Sequence, residues 1–221
     1  MIAVAIDGPA GSGKSSVADI VAKRLGYLHI DTGALYRAVA YYALKKGINF
    51  EDEDEVAESL HNVKIEIVSA NGTQKTVLNG KVLGEELRMS DVSKAASKVA
   101  GYGEVRDFLL KTQRECAEKN NVVMDGRDIG TVILPNADVK IFLTASAEER
   151  AKRRFLQNAS QDQKDSYEDI LEMINKRDKD DMNRAISPLK MAEDAVLVDT
   201  SNFNFDQTVE RVIEIIKGKV S

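Results

Sequence analysis

Residues 2–15, IAVAIDGPAGSGKS, place a short apolar run directly in front of a glycine-rich loop. The run IAVAI is typical of a buried strand, and the loop matches the pattern G-x-x-x-x-G-K-[ST] over residues 8–15. An amphipathic helical pattern begins at Lys14, with its apolar residues on one face. A strand, this loop and a helix in this order predict a binding site for nucleotide phosphates.

The residue types of the loop explain the chemistry that it predicts. Glycines allow backbone N–H groups to close around phosphate oxygens, and the N-terminus of the helix adds partial positive charge. The ammonium of Lys14 can bridge the β- and γ-phosphates, and the hydroxyl of Ser15 can ligate Mg²⁺. We therefore expect ATP or GTP with Mg²⁺, bound by nine consecutive residues: Gly8, Pro9, Ala10, Gly11, Ser12, Gly13, Lys14, Ser15 and Ser16.

Four more apolar runs of strand length occur along the chain, and each is followed by a helical pattern. They are YLHI (27–30), NVVM (121–124), VKIFL (139–143) and AVLVD (195–199). Such alternation predicts an α/β fold in which a five-stranded parallel sheet carries helices on both faces. Because the phosphate loop follows the first strand, we expect the P-loop NTPase fold.

The stretch from 62 to 90 interrupts this alternation. VKIEIV and TVLNG alternate apolar and polar residues, and NG pairs at 71–72 and 79–80 indicate tight turns. Further on, a loop near 158–166 precedes a charged helix predicted to end at Pro188. We expect one domain over residues 1–221, with a core (1–61 and 91–221) and a small antiparallel insertion (about 62–90).

Composition narrows the class of function. Charged residues make up 30% of the chain, with a net charge of −5, so a broad basic surface for nucleic acid is not expected. The single Cys116 cannot form an internal disulfide, and two histidines are too few for a His/Cys zinc site. No run approaches the roughly 18 apolar residues of a membrane span. We expect a monomeric cytoplasmic protein with small-molecule substrates and no nucleic-acid or membrane partner.

One motif points towards guanine but lies in the wrong context. NKRD (175–178) matches the N-K-x-D pattern that reads guanine in GTPases, yet it falls within a helical pattern with no strand before it. The D-x-x-G pattern of the GTPase switch does not occur in the chain. We therefore expect a metabolic kinase rather than a GTPase switch.

A second anionic substrate would need its own positive charges, and arginines near strand ends are candidates. Arg37 lies one turn into a predicted helix, and Arg127 follows the NVVM strand. Arg177, Asp181 and Arg184 are spaced by four and three residues, which predicts one helix face. A structural alternative remains for each, since a surface pair between Arg177 and Asp181 would contribute only a few tenths of a kcal/mol.

Motifs along essentially the whole chain resemble those of bacterial cytidylate kinases. The DGRDIGT stretch and the DGPAGSGKS start are specific together, because other nucleoside monophosphate kinases share the phosphate loop but not the arginine–aspartate pair or this insertion. The resemblance implies phosphoryl transfer from ATP to CMP or dCMP with Mg²⁺. The matching motifs are, in order, the phosphate loop, DTGALYR (31–37), the β insertion, KAAS (94–97), EVRDFLL (104–110), DGRDIGT (125–131) and RDKDDMNRAISPL (177–189).

The resemblance also implies roles for matching residues in acceptor binding. Cytosine presents an amine donor beside two acceptors, which suits a carboxylate together with a guanidinium. Uracil would turn an acceptor towards that carboxylate, so a site of this kind can discriminate strongly. The implied contacts are Arg37, Arg127 and Arg184 with the CMP phosphate, Ser97, Arg106 and Asp128 with cytosine, and Arg177 and Asp181 with the ribose. Thr32 stands where relatives carry serine in D-[ST]-G and keeps the hydroxyl.

The short helical lid of the family would correspond to residues 148–165, where Arg150, Arg153 and Arg154 form a second arginine face. Arg153 or Arg154 would stabilise charge on the transferring phosphoryl group. For Asp125 two roles stay open, a water-mediated Mg²⁺ contact or a structural role at the turn. The implied catalytic set is Lys14, Asp125, Arg127, Arg153 and Arg154.

Two other functions remain open from the sequence. The same chemistry could serve another acceptor, such as UMP or a shikimate-like metabolite. Alternatively, the chain could be a non-enzymatic sensor in which ATP binding moves the lid for a partner protein. The acidic composition and the second set of arginines favour the kinase.

Overall fold

The computed structural model describes residues 1–70, 73–159 and 165–220. The chain divides into two compact units. The first contains Met1–Ala3 and Ala22–Asp125, and the second contains Val4–Val21 and Gly126–Ser221. The division into a core, an insertion at about 62–90 and a lid at about 148–165 stays a prediction.

Eight strands and eight α-helices have defined bounds in the described part of the chain. The strands are β1 (Ala3–Asp7), β2 (Leu28–Asp31), β3 (Ile65–Ala70), β4 (Thr73–Leu78), β5 (Lys81–Val82), β6 (Val122–Gly126), β7 (Val139–Thr144) and β8 (Val196–Asp199). The helices are α1 (Lys14–Leu25), α2 (Thr32–Lys46), α3 (Glu53–Ser59), α4 (Ser90–Val99), α5 (Gly103–Lys119), α6 (Ala147–Ala159), α7 (Tyr167–Asn183) and α8 (Phe205–Val220). Short 3₁₀ turns cover Leu60–Asn62 and Glu85–Arg88, and a π-helical turn covers Ile129–Ile133.

The larger sheet contains the five apolar runs of the sequence, in the order β2-β6-β1-β7-β8. Strand β2 pairs in parallel with β6, and β7 pairs in parallel with both β1 and β8. All of β6 is buried, as is β1 after its first residue, which agrees with their continuous apolar sequences. The predicted five-stranded parallel sheet of a P-loop fold is confirmed.

The smaller sheet is antiparallel, with the order β3-β4-β5. Its β4–β5 turn contains Asn79 and Gly80, whose φ angles are 47° and 78°. Positive φ at both positions is what an Asn-Gly hairpin turn requires. The predicted antiparallel element is therefore confirmed, while the turn predicted at 71–72 lies outside the described residues.

Helix α7 differs from its predicted length. It ends at Asn183, five residues before the predicted end at Pro188. Its C-cap, Arg184, has a non-helical ψ of 138°, so the helix ends before the proline is reached. After the proline, the backbone N–H of Leu189 donates to the carbonyl of Asp181 at 2.8 Å. Part of the loop predicted near 158–166 lies outside the described residues, which resume at Asp165.

Helix packing within the first unit is mainly apolar. Helices α2 and α4 lie against each other, and Val39, Val92 and Leu109 are buried in one hydrophobic cluster. Within residues 1–70, 73–159 and 165–220, no helix is both long and apolar enough to cross a membrane.

Candidate active site

The loop between β1 and α1 has a backbone that only glycine adopts easily. Gly8, Gly11 and Gly13 have φ angles of 154°, 75° and 84°. A Cβ atom on Gly8 would lie 2.0 Å from the carbonyl oxygen of Leu143 in β7, so no side chain fits there. At Gly8 the loop therefore lies directly against the sheet.

The polar groups of this loop suit a phosphate. The side chain of Lys14 is buried, and its Nζ donates to the carbonyl of Pro9 at 3.2 Å. The hydroxyl of Ser12 is buried and, among the described residues, has no hydrogen-bond partner. A buried hydroxyl without a partner is costly, and a phosphate oxygen would satisfy it. Ser15 is half-buried at the start of α1.

Asp7, the last residue of β1, belongs to the site although the sequence analysis gave it no role. Its carboxylate accepts hydrogen bonds from the backbone N–H groups of Ile129 and Gly130 at 2.7 and 2.8 Å. Burial raises the pKa of Asp7 to about 6; the Asp128 carboxylate adds to this, while the two N–H groups and Lys14 oppose it. A carboxylate at the end of a buried strand, directly before the phosphate loop, was the signal that could have found it.

The end of β6 carries the arginine–aspartate cluster of DGRDIGT. Arg127 donates from Nε to Oδ2 of Asp181 at 2.7 Å and from Nη1 to the carbonyl of Gly126 at 3.3 Å. Asp128 is buried at the start of the π-helical turn. The backbone N–H groups of Val132 and Ile133, in that turn, donate to the backbone carbonyl of Asp128. Arg127 and Asp128 belong to the second unit, which also contains the phosphate loop.

Asp125, two residues earlier on β6, lies in the first unit and makes structural contacts there. Its Oδ1 is 2.7 Å from Nε2 of His29 on β2, and both side chains are buried. The hydroxyl of Thr32 donates to the backbone carbonyl of Asp125 at 2.8 Å. These contacts join the ends of β2 and β6.

The residues of the first unit that were predicted to bind the acceptor lie on three helices, and two of them make local contacts. Arg37 on α2 donates from Nη2 to Oδ2 of Asp31 at 2.6 Å, and Asp31 also caps that helix. Arg106 on α5 is buried, donates to the carbonyl of Ala100 at 3.0 Å, and lies 5.6 Å from the ring centroid of Tyr36. Ser97 on α4 is half-buried.

Helix α7 supplies Arg177 and Asp181, while Arg184 differs from its predicted placement. Arg184 is the C-cap of the helix rather than part of its face, and it donates to the carbonyl of Ser187 at 2.9 Å. Asp181 is buried, so the alternative of a surface ion pair with Arg177 is wrong. Burial alone would raise the pKa of Asp181, but Arg127 and the charges of Arg184 and Arg177 hold it below its usual value.

Arg150, Arg153 and Arg154 lie at the predicted helical spacing on α6, but each has different surroundings. Arg150 is buried. It donates to the carbonyl of Ala10 in the phosphate loop and to the carboxylate of Asp178. Arg153 donates from Nη2 to the carbonyl of Thr200 at 2.7 Å. Arg154 is exposed and donates to Gln157 at 3.3 Å. Residues 160–164 of the predicted lid lie outside the described part of the chain.

Comparison with known proteins agrees with these features. The family model described as cytidylate kinase matches residues 4–218. A cytidylate kinase from Bacillus licheniformis is 48% identical over 99% of this chain and 97% of its own, and one from Caldicellulosiruptor bescii is 46% identical over 97% and 95%. A shikimate kinase structure from Bacteroides thetaiotaomicron shares the fold, with a TM-score of 0.50 over 98% of both chains but only 12% identity. This chain belongs to the cytidylate kinase family.

Proposed function

We propose that the protein transfers the γ-phosphoryl group of ATP to CMP and dCMP, forming ADP and CDP or dCDP. The observation that carries this proposal is the presence, in one compact unit, of the phosphate loop and of Arg127 and Asp128 at the end of β6. Membership of the cytidylate kinase family supports the same acceptor.

ATP would be held by the loop from Gly8 to Ser16. The backbone N–H groups of the loop would surround its phosphates, Lys14 would neutralise their charge, and the Ser12 hydroxyl would gain its missing partner. The Ser15 hydroxyl would ligate Mg²⁺, and the bound ion would supply positive charge to offset that of the phosphates.

Cytosine would be recognised by Asp128, Arg106 and Ser97. Asp128 would accept from the exocyclic amine, and the guanidinium of Arg106 would donate to the ring acceptors. Both side chains are buried, so a base with the wrong donors and acceptors would place mismatched polar groups against them away from water. This burial supports discrimination against uracil.

The remaining proposed contacts are with the charged phosphate of CMP and with its uncharged ribose. Arginines suit a phosphate because their planar donors match its oxygens. A carboxylate can accept a hydrogen bond from a sugar hydroxyl, and a neighbouring arginine can donate one to it. We assign the phosphate to Arg37, Arg127 and Arg184, the ribose to Arg177 and Asp181, and an additional hydroxyl contact to Thr32.

The transfer itself needs positioning and neutralisation of charge rather than a protein base. An oxygen of the CMP phosphate attacks the γ-phosphorus, the bond to the β–γ bridging oxygen breaks, and ADP leaves with that electron pair. The attacking phosphate is already anionic near neutral pH, since its second pKa is about 6. Lys14, Arg127 and one of Arg153 and Arg154 would stabilise the charge on the moving group.

For Asp125, the hydrogen bond to His29 favours the structural role at the turn over a water-mediated Mg²⁺ contact. Its carbonyl also holds Thr32, so Asp125 would act on the acceptor through that residue. We also propose a monomer that acts in the cytoplasm without nucleic acid; the net charge of −5 supports the last point.

ADP release with Mg-ATP, measured across CMP, dCMP, UMP, AMP, GMP, dTMP and shikimate, tests the function. We expect fast turnover with CMP and dCMP, slow turnover with UMP and none with the others. Faster turnover with UMP or shikimate would favour a different acceptor. Tight ATP binding without turnover of any acceptor would contradict the kinase and favour a sensor.

A further inference from the structure

Arg150, near the start of α6, is one of the most deeply buried charged side chains in the second unit, with only 4% of its surface exposed. Its guanidinium has three partners on three elements. Nη1 donates to the carbonyl of Ala10 in the phosphate loop at 2.9 Å, and Nε donates to the carbonyl of Ala145 after β7 at 3.0 Å. Nη1 and Nη2 also reach the two carboxylate oxygens of Asp178 on α7 at 3.1 and 2.6 Å.

The contact with Ala10 fixes the orientation of one peptide group in the loop. The Ala10–Gly11 peptide is trans, so its N–H points away from its carbonyl. When Arg150 holds that carbonyl, the N–H of Gly11 is turned to the opposite side. Gly11 has a φ of 75°, and a Cβ on it would lie 3.6 Å from the Cβ of Arg150, so the loop packs directly on this side chain.

Asp178 makes this arrangement rigid. Two parallel hydrogen bonds between a guanidinium and a carboxylate fix the plane of the guanidinium as well as its position. Both side chains of the pair are largely buried, with exposed fractions of 5% and 13%. The orientation of the loop peptide is therefore tied to α7, the helix that carries Arg177 and Asp181.

We propose that Arg150 is a positioning residue for the phosphoryl donor. By holding the Ala10 carbonyl, Arg150 orients the N–H of Gly11 to bind the ATP phosphates. Asp178 keeps the guanidinium of Arg150 in the position that this requires. The proposal rests on the proposed donor site, but not on the identity of the acceptor.

The test compares Arg150→Lys with the wild type in ATP binding by isothermal titration calorimetry and in steady-state kinetics. Lysine keeps the positive charge but has no planar fork, so it cannot reproduce the two parallel bonds to Asp178 together with the bonds to Ala10 and Ala145. We expect the dissociation constant for Mg-ATP to rise by about tenfold or more, while the KM for CMP at saturating ATP changes by less than about twofold. Arg211→Lys is the matched control, because Arg211 is exposed on α8 and pairs there with Glu214, which is also exposed.

A folded Arg150→Lys protein that binds Mg-ATP within about twofold of the wild type would overturn the proposal. An equal rise in the KM for CMP would also overturn it, because a general loosening would affect both substrates.

If Arg150→Lys does not fold, Asp178→Asn decides the matter. It keeps the Ala10 contact but loses the charge that orients Arg150, and we expect Mg-ATP binding about threefold weaker. Unchanged binding in that variant would count against the proposal.

The binding measurement also separates this proposal from the proposed function. Wild-type protein that binds Mg-ATP but does not phosphorylate CMP would contradict the kinase activity alone. The comparison of ATP affinities between wild type and Arg150→Lys would still decide the role of Arg150.

Discussion

Arg127 and Asp181 form a nearly buried ion pair at 2.7 Å, with 17% and 7% of their side chains exposed. Our proposal gives these residues different parts of the acceptor, the phosphate to Arg127 and the ribose to Asp181. Their direct contact means that the two parts of that site are coupled through the protein. A change at either residue should therefore affect both stability and acceptor binding.

Replacing Asp181 by Asn should lower the free energy of unfolding by about 3 kcal/mol at pH 7, because the largely buried Arg127 loses its charged partner. The pKa of Asp181 is lowered in the folded state, so its contribution is present at neutral pH. That contribution is lost as the pH falls from about 4, where the unfolded chain begins to take up this proton, through the lower pKa of the folded carboxylate. Urea denaturation at pH 7 measures the effect, and CMP kinetics should show a raised KM.

Asp180→Asn provides the comparison, because Asp180 is the neighbouring residue on α7 but is exposed. It removes the same charge without breaking the pair. Equal loss of stability in both variants would show that net charge, rather than the contact with Arg127, determines the result.

Replacing Asp128 by Asn should weaken the preference for cytosine. The amide can present a donor to the position where uracil carries an acceptor, while its oxygen no longer carries a charge for the amine of cytosine. We expect the ratio of kcat/KM for CMP to that for UMP to fall by roughly 100-fold. Steady-state assays with both acceptors measure the ratio, and a ratio that stays constant would remove Asp128 from base recognition.

The strands of the larger sheet and the phosphate loop were predictable because their signals are local. IAVAI, VKIFL and the other apolar runs are each long enough to predict a strand, and the glycine spacing determines the loop after β1. The expectation that AVLVD is a buried strand is wrong, because β8 lies at the edge of the sheet and Leu197 is 55% exposed. The Asn79–Gly80 turn was also predictable, since both residues tolerate positive φ.

Features that depend on distant partners were not predictable. The π-helical turn at Ile129–Ile133 is anchored by Asp7, more than a hundred residues away along the chain. The role of Arg150 depends on Ala10 and Asp178, which lie on separate elements. Asp178 is the last residue of the NKRD motif that resembled a guanine reader, and in the structure it orients an arginine instead.

Gly8→Ala should damage the fold more than an ordinary glycine replacement. The new Cβ would meet the carbonyl oxygen of Leu143 at 2.0 Å, and a backbone atom inside a sheet cannot move aside cheaply. We expect a loss of about 3 kcal/mol or more in the free energy of unfolding. Gly26→Ala, at φ 69° but with open space around the Cβ, should cost about 1 kcal/mol from backbone strain alone. Denaturant unfolding of both variants makes the comparison, and similar losses would contradict a steric role for Gly8.

Asp7→Asn should change how stability depends on pH. The folded pKa of Asp7, about 6, lies above its ordinary value of 3.8, so the folded protein holds this proton more tightly than the unfolded chain. Stability from this group is therefore present below about pH 4 and is lost as the pH rises to 6, by about 3 kcal/mol in total. The variant lacks this titration, so the wild type should lose about that much stability relative to Asp7→Asn between pH 4 and pH 7 in urea denaturation.

Asp206→Asn is the control, because it removes an exposed carboxylate on α8, and it should show no such change relative to the wild type. A difference between wild type and Asp7→Asn that is independent of pH would show that Asp7 stays ionised throughout and acts only as the acceptor for Ile129 and Gly130.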